Sequence, residues 1–249
     1  GSDILIVPNK TPAHRHKARV ALAAADYVLA DSHYLLSEAT RIHPVRHGSV
    51  IPWGIEERFL GLRQSDKKLS TPLKIIVPRP HEPVYNNQFV LESLRDDVSE
   101  GTVELTVPAR GSRAQEFRLA AGDLIGRGVS IYECLDRPSF LKLVSEHDVY
   151  LSAARSDSSP VSLIEAMGLG LIPMAADIPG VLEWLTPETG FAYGQDDTES
   201  LKMMMARLLG GDAHFQQMRH TNLAKVKAEA LFEDNVASTI EIMKRVAGR

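Results

Sequence analysis

The sequence predicts an α/β fold built on a doubly wound parallel sheet, with a smaller β-α-β-α-β unit ahead of it. Three observations carry this reading. Six apolar runs occupy 73–77, 103–107, 129–133, 148–152, 171–175 and 190–193, most of them rich in Val, Ile or Leu. Helical patterns lie between them near 87–97, 113–126, 138–146, 160–169 and 179–185, and two further helices follow near 197–210 and 213–246, the latter broken around Phe232–Asp234. The connections are short, and buried strands alternating with helices of about ten residues form a parallel sheet covered on both faces. The 249 residues suffice for one large or two small domains with a substantial core.

The N-terminal elements follow in order. Residues 3–7 (DILIV) read as a strand and 8–25 as a turn that becomes helical. Residues 26–31 read as a strand, 32–42 as a helix capped by Ser32, and 49–53 as a third strand. This run is too small for a complete domain, and it opens beside Gly1-Ser2, which reads as a cloning scar. Residues 3–60 are therefore expected to be the remnant of a truncated N-terminal domain, with 61–249 forming a second domain. The charged stretch 62–72, ending in Pro72, reads as the linker between them.

Composition narrows the function classes. A hydrophobic fraction of 44% and a charged fraction of 24% are ordinary for a globular chain. The net charge of −4, with both signs interspersed, gives no footprint for nucleic acid. No apolar run approaches bilayer-spanning length. A single cysteine, Cys134, excludes an internal disulfide framework and a cysteine-based zinc site, and it is expected as buried packing in a reducing, cytoplasmic setting. His14 and His16 stand two apart, which does not place both rings on one helix face, so HRHKAR reads as a basic turn rather than a metal site.

The topology rule places a ligand. A six-stranded doubly wound sheet ordered 3-2-1-4-5-6 opens its crevice at the carboxyl ends of its first and fourth strands. Those strands end at Val77 and Ser152, so the loops 78–87 and 153–160 bring Arg79, His81, Tyr85, Arg155, Asp157 and a helix opening at Val161 to one crevice. Pro160, preceded by Ser158 and Ser159, marks that helix start. No Gly-x-Gly-x-x-Gly follows any strand, which disfavours a dinucleotide. A diphosphate held by arginine and a helix N-terminus is favoured instead. Within the helix, Glu165 interrupts an apolar run between Ile164 and Ala166 and faces either solvent or a ligand.

The segment 155–180 resembles the donor-binding motif of GT-B retaining glycosyltransferases of family 4. In that motif Glu, seven residues and Glu precede an Ala-Met pair and a Gly-x-Pro strand. Here Asp157 stands at the first acidic position and Glu165 at the second, followed by Ala166-Met167 and by Gly170 to Pro173. The stretches AADYVLADSHYL and VIPWGIEERF resemble the last elements before the family's interdomain linker, with Trp53 in place of the usual Asn. Residues 233–249 resemble the helix that crosses back to the N-terminal part.

The resemblance implies transfer of a sugar from a nucleotide-diphosphate sugar to a saccharide or glycolipid acceptor, with retention of configuration and without a metal or other cofactor. It implies catalytic roles for Arg79, Asp157 and Glu165. Arg79 meets the leaving diphosphate, Asp157 the sugar hydroxyls, and Glu165 the ribose diol. Donor binding falls to Tyr85, Leu135, Arg155, Val161 and Ser162, with Leu135 near the base and the backbone of Val161 and Ser162 at the phosphates. Tyr85 stands where the family has Lys, and Asn86 where it has Gly, so Arg155 is expected to supply the missing cation. Arg79 and Arg155 could instead be salt-bridge partners of Glu82 and Asp157. Glu183 reads as a helix-start carboxylate or a donor contact, and Met203–Met205 as core and helix surface.

The segment alone is expected to bind donor without appreciable turnover. It is further expected to be cytoplasmic, with peripheral membrane association possible. A dimer is possible through the apolar face of Val236, Ile240, Met243 and Val246. The alternative is a non-catalytic nucleotide-sugar-binding module or partner subunit.

Overall fold

The computed structural model describes residues 1–63, 68–210 and 214–248. The chain runs through α1 (Ser2–Leu5), α2 (Pro12–Ala24), β1 (Val28–Ala30), α3 (His33–Ile42) and β2 (Gly48–Val50). It continues through β3 (Leu73–Ile76), α4 (Asn87–Ser93), α5 (Arg95–Ser99), β4 (Val103–Pro108), α6 (Ala114–Ala121), β5 (Val129–Tyr132) and α7 (Arg137–Ser145). Then come β6 (Val149–Ser152), α8 (Val161–Leu169), β7 (Ile172–Ala176), α9 (Pro179–Leu182), β8 (Phe191–Tyr193), α10 (Thr198–Leu209), α11 (Phe215–Glu229) and α12 (Phe232–Ala247).

Six strands form one parallel sheet in the order β5-β4-β3-β6-β7-β8, which is 3-2-1-4-5-6 when counted within the sheet. The strands alternate between two cores. On β6, Val149 and Leu151 join one apolar cluster while Tyr150 joins the other. On β7, Ile172, Met174 and Ala176 face the first cluster and Ala175 the second. Full burial on both faces explains why these runs read as continuous apolar stretches. Each large aliphatic side chain contributes about 1.5–3 kcal/mol.

The N-terminal segment departs from expectation. Residues 3–7 form no strand. Leu5 N donates to Gly1 O and Ile6 N to Ser2 O, and a 3-10 turn follows over Val7–Asn9. A short apolar run does not by itself distinguish helix from strand, and here Pro8 removes one backbone donor that pairing would need. The segment is therefore α-α-β-α-β, with only β1 and β2 paired, in parallel. Ser32 caps α3 as expected, its Oγ accepting from Leu35 N at 3.0 Å.

Other boundaries moved for local reasons. The helix expected at 87–97 divides at Leu94, which is fully buried between α4 and α5. The helix expected at 113–126 ends at Gly122, where φ is 53°. The break in the last helical stretch lies at Ala230–Leu231, slightly before the expected place. There Ile55 N donates to Ala230 O and Phe232 N donates to Ile55 O, so the strand leaving β2 takes the bonds a continuous helix would use. Part of the expected linker, residues 64–67, and residue 213 of the expected last helix lie outside the described residues.

Two segments thus cross between the sheets side by side, 54–57 and 229–233. Gly54 has φ of 77°, and a Cβ there would lie 2.1 Å from Ala230 O. Beyond the crossing, Asn235 Nδ2 donates to Pro52 O at 2.8 Å, and α12 lies beside β1 and β2. Ile240 and Met243 remain exposed on α12, at 45% and 60%. A carboxylate also joins the two parts: Glu183 accepts from His33 N at 2.9 Å and from Tyr34 N at 2.5 Å, so it serves a helix start, that of α3.

Candidate functional site

The crevice is built where β3 and β6 end. The loop after β3 is braced by internal hydrogen bonds. His81 is buried, its Nε2 donating to Pro108 O at 2.8 Å, while Asn87 Nδ2 donates to His81 Nδ1 at 3.2 Å and to Arg79 O at 2.8 Å. The ring also packs on Phe117 at 4.2 Å. Burial pushes the His81 imidazole below its usual value, so its role is that of a neutral brace.

That brace fixes Arg79. Its guanidinium lies 4.1 Å from the Tyr85 ring centroid, and its Nη2 donates to Asp157 Oδ2 at 2.6 Å. Burial opposes the Arg79 charge, but Asp157, Tyr150 and Tyr85 outweigh it and hold the group protonated. Arg79 is therefore a salt-bridge partner of Asp157 across the crevice. Glu82 instead accepts from Ser112.

Arg155, the expected second phosphate cation, pairs with Asp196. Its Nη2 donates to Asp196 Oδ1 at 2.9 Å, and both side chains are about half exposed. Asn86 Nδ2 donates to the same carboxylate oxygen at 2.7 Å. Asn86 itself has φ of 52°, in the left-handed region. This accounts for Asn at a position where the resembling family carries Gly, since Asn tolerates that region better than most residues. The two crevice loops are also tied directly, by Arg155 N donating to Val84 O at 2.8 Å.

Helix α8 opens at the crevice without a side-chain cap. Ser158 and Ser159, which precede it, are engaged elsewhere. Ser158 Oγ donates to Asp31 Oδ2 at 2.8 Å, and Ser159 Oγ accepts from Trp184 Nε1 at 3.1 Å. Among the described residues the N–H groups of Val161 and Ser162 find no acceptor, while Leu163 N and Ile164 N both donate to Pro160 O. An uncapped helix start with two free donors is suited to an anion. Asp31, across from it, is pushed above its usual value by burial, with Ser158 opposing.

Glu165 sits one turn into α8 and is buried, at 3% exposure. It faces neither bulk solvent nor an apolar wall. Arg137 Nη1 donates to its Oε1 at 2.7 Å. Burial pushes the Glu165 carboxyl up, while Arg137 and, more weakly, Arg79 favour its charged form.

Beside Arg137 lies a cavity of about 410 Å³ lined by Ala109, Arg110, Tyr132, Cys134, Leu135 and Phe140. Leu135 is 40% exposed there. Cys134 is exposed, not buried as expected, because it lies in the loop beyond β5 where the sheet no longer covers it. The expected site residues thus fall into three groups. Arg79, Tyr85, Asp157 and the start of α8 meet in the crevice, Leu135 lines the adjoining cavity, and Glu165 reaches that cavity's wall only through its bond to Arg137. Arg155 lies at the rim with Asp196.

Sequence reading missed Arg137, Glu56, Asp31 and Asp196. Arg137 carried a usable signal. It occupies the first position of α7, where a cation opposes the helix dipole and needs carboxylate partners. His14 and His16 lie in the first turns of α2, with Thr11 Oγ1 capping that helix by accepting from His14 N at 3.2 Å. Among the described residues no group of three or more His, Cys, Asp or Glu side chains is arranged to hold a metal ion. No helix among them is long and apolar enough to cross a membrane.

Comparison with known proteins gives a consistent fold. No family model matches the chain. TuaC of Bacillus subtilis (strain 168), provisionally named a teichuronic acid biosynthesis glycosyltransferase, is 25% identical over 197 residues, covering 73% of this chain and 46% of TuaC. The pneumococcal O-GlcNAc transferase GtfA, solved with UDP and GlcNAc, superposes with a TM-score of 0.78 at 14% identity, covering 96% of this chain and 48% of GtfA. Sucrose-phosphate synthase from Thermosynechococcus elongatus gives 0.82 at 15% identity over 99% of this chain and 65% of its own. Anabaena HepE, solved with UDP, gives 0.78 at 14% identity over 95% and 70%. The fold is the Rossmann-like α/β architecture of GT-B glycosyltransferases. The chain spans about half the length of TuaC and of GtfA.

Proposed function

We propose that this chain holds a nucleotide-diphosphate sugar as the donor-binding part of a retaining glycosyltransferase related to family 4. The observation that carries the reading is the meeting of Arg79 with Asp157 just ahead of the uncapped start of α8, the helix that carries Glu165 one turn further on. Arg79 and the Val161 and Ser162 amides would grip the diphosphate as its charge grows on departure. Preorganised donors of this kind lower the barrier because they need no reorganisation during the reaction. Glu165 would accept from the ribose hydroxyls, Asp157 from hydroxyls of the transferred sugar, and the cavity at Leu135 would take the base.

The division is that of the resemblance: residues 3–60 belong to the acceptor-side domain and its linker, residues 61–249 form the donor domain, and α12 crosses back. The acceptor, a saccharide or glycolipid, would be met mainly by the acceptor-side domain. This chain is therefore expected to bind donor with little transfer of its own, since loss of positioning removes several orders of magnitude in rate. No metal is assigned a part, and the setting is cytoplasmic, with a membrane-bound acceptor allowed.

A second reading, a nucleotide-sugar-binding module without turnover, is favoured by Tyr85 at the family's Lys position and by Asp196 occupying Arg155. Isothermal titration with UDP, GDP and their sugars tests both. Binding by this chain, with transfer only by a longer protein carrying a complete acceptor side, supports the transferase. Binding with no transfer by either supports the module, and absence of binding to every nucleotide removes both.

A further inference from the structure

Arg137 is held more firmly than a half-exposed surface arginine. Its Nε donates to Glu56 Oε1 at 2.7 Å and to Oε2 at 2.9 Å, and its Nη2 also bonds Oε2. With two nitrogens on one carboxylate, the guanidinium plane is set, and so is the direction of its remaining Nη1. That nitrogen donates to Glu165 Oε1 at 2.7 Å. Among the described residues Glu165 Oε2 accepts no hydrogen bond.

Glu56 is itself anchored. It follows Ile55, which is fully buried and bonded on both sides to Ala230 and Phe232 where the two segments cross. The side-chain exposures run 14% for Glu56, 40% for Arg137 and 4% for Glu165, so the cation lies between two sheltered acids and borders the cavity beside Leu135. Glu165 Oε2 is not among the fully buried polar atoms left without a partner, so on this otherwise sheltered side chain it is the oxygen that stays accessible. A contact that orients a carboxylate for a diol gains from that arrangement.

We propose that Arg137 is the positioning residue of the ribose subsite: oriented by Glu56, it fixes Glu165 through Oε1 and leaves Oε2 to accept from a ribose hydroxyl. The inference rests on the donor-site reading above and extends it to residues of the α7 start and the crossing strand. Lys at 137 supplies charge without the planar fork, so it restores the effect only in part.

Titration calorimetry with UDP and 2′,3′-dideoxy-UDP, and with the matching pair of guanosine nucleotides, tests it. The wild-type chain is expected to prefer the ribonucleotide by about tenfold or more. Arg137→Met should weaken ribonucleotide binding by about that factor while leaving the dideoxy form nearly unchanged, so that the preference collapses. Glu56→Gln should reduce the preference part of the way, and Arg137→Lys should retain part of it. Equal losses on both nucleotides, or an unchanged preference in Arg137→Met, would overturn the proposal. If Arg137→Met does not fold, the decision passes to Glu56→Gln, where an undiminished preference overturns it. A wild-type chain that binds neither UDP nor GDP removes the donor-site reading and this inference with it.

Discussion

Arg79 and Asp157, the cation and the anion expected to meet the donor, bind each other at 2.6 Å, with side-chain exposures of 17% and 15%. A sheltered ion pair holds both groups in one orientation, and it also makes each the competitor of the other's ligand. In the proposed donor site a diphosphate entering the crevice would take over Arg79 and leave Asp157 for the sugar. Arg79→Ala is therefore expected to weaken nucleoside diphosphate binding by about 10- to 100-fold, as for loss of a charged hydrogen bond. Asp157→Asn should leave diphosphate binding as tight or tighter and abolish any preference for the nucleotide-sugar over the bare nucleotide. Calorimetric titration of both variants separates the two effects. An Asp157→Asn variant that loses diphosphate affinity as Arg79→Ala does would show the pair to be structural.

Arg155 is expected to count for less than Arg79. Its charge already faces Asp196 at the rim, and exposed pairs of this kind contribute about 0–1 kcal/mol. Arg155→Ala should lower diphosphate affinity by less than about fivefold at moderate salt. A loss matching that of Arg79→Ala, measured in the same titration, would show that Arg155 leaves Asp196 and reaches the phosphates.

Much of this was legible in the sequence because the signals were periodic or topological. Six buried runs separated by helices fixed the sheet, and the switch-point rule brought the loops at Arg79 and Asp157 together before any contact was visible. What escaped reading was set by tertiary partners. Nothing in DILIV distinguishes strand from helix, and its state follows from local carbonyls and Pro8. The partner of Glu165 lies 28 residues away, on another helix. The partner of Arg155 lies 41 residues away, on a loop no motif marks. Side-chain pairing across loops leaves no period in the chain, so charge type alone could not assign it.

The His81 brace gives a pH dependence of definite sign. Its folded-state pKa lies below the ordinary 6.5, mainly through burial, with the bond to Pro108 opposing. The unfolded chain therefore takes up a proton first as pH falls. The stability tied to neutral His81 is complete above about 6.5 and declines as pH drops toward the folded value. Protonation at Nδ1 would also confront the Asn87 amide donor, which Arg79 O holds in place. Urea unfolding at pH 7.5 and 5.5 should show a smaller acid loss in His81→Gln than in the wild type. Equal losses would assign the acid sensitivity to other groups.

The crossing of 54–57 with 229–233 predicts a sharp steric limit. At Gly54 a methyl group would meet Ala230 O at 2.1 Å, and the backbone is already in the left-handed region at 77°. Neither atom is the end of a flexible side chain, so the segments must separate. Gly54→Ala is expected to cost about 3 kcal/mol or more of unfolding free energy. Hydrogen exchange at Ile55 and Phe232, whose amides bond across the crossing, should rise with it. A variant within about 0.5 kcal/mol of wild type would mean that the crossing is not packed as described.

The single cysteine gives a direct test of the proposed base subsite. Cys134 is exposed and lines the cavity of about 410 Å³ with Leu135 and Tyr132, so a base seated there would stand between the thiol and a reagent. Alkylation needs the thiolate and access to it, and a bound nucleotide reduces access without altering the rest of the chain. The rate of maleimide labelling is therefore expected to fall about tenfold or more at nucleotide concentrations well above Kd, since only the unoccupied fraction reacts. Inorganic diphosphate, which would fill the proposed Arg79 crevice but has no base, should leave the rate unchanged. Protection by diphosphate alone would mean that the crevice and the cavity close together. No protection by either UDP or GDP under saturating conditions would place the base away from Leu135.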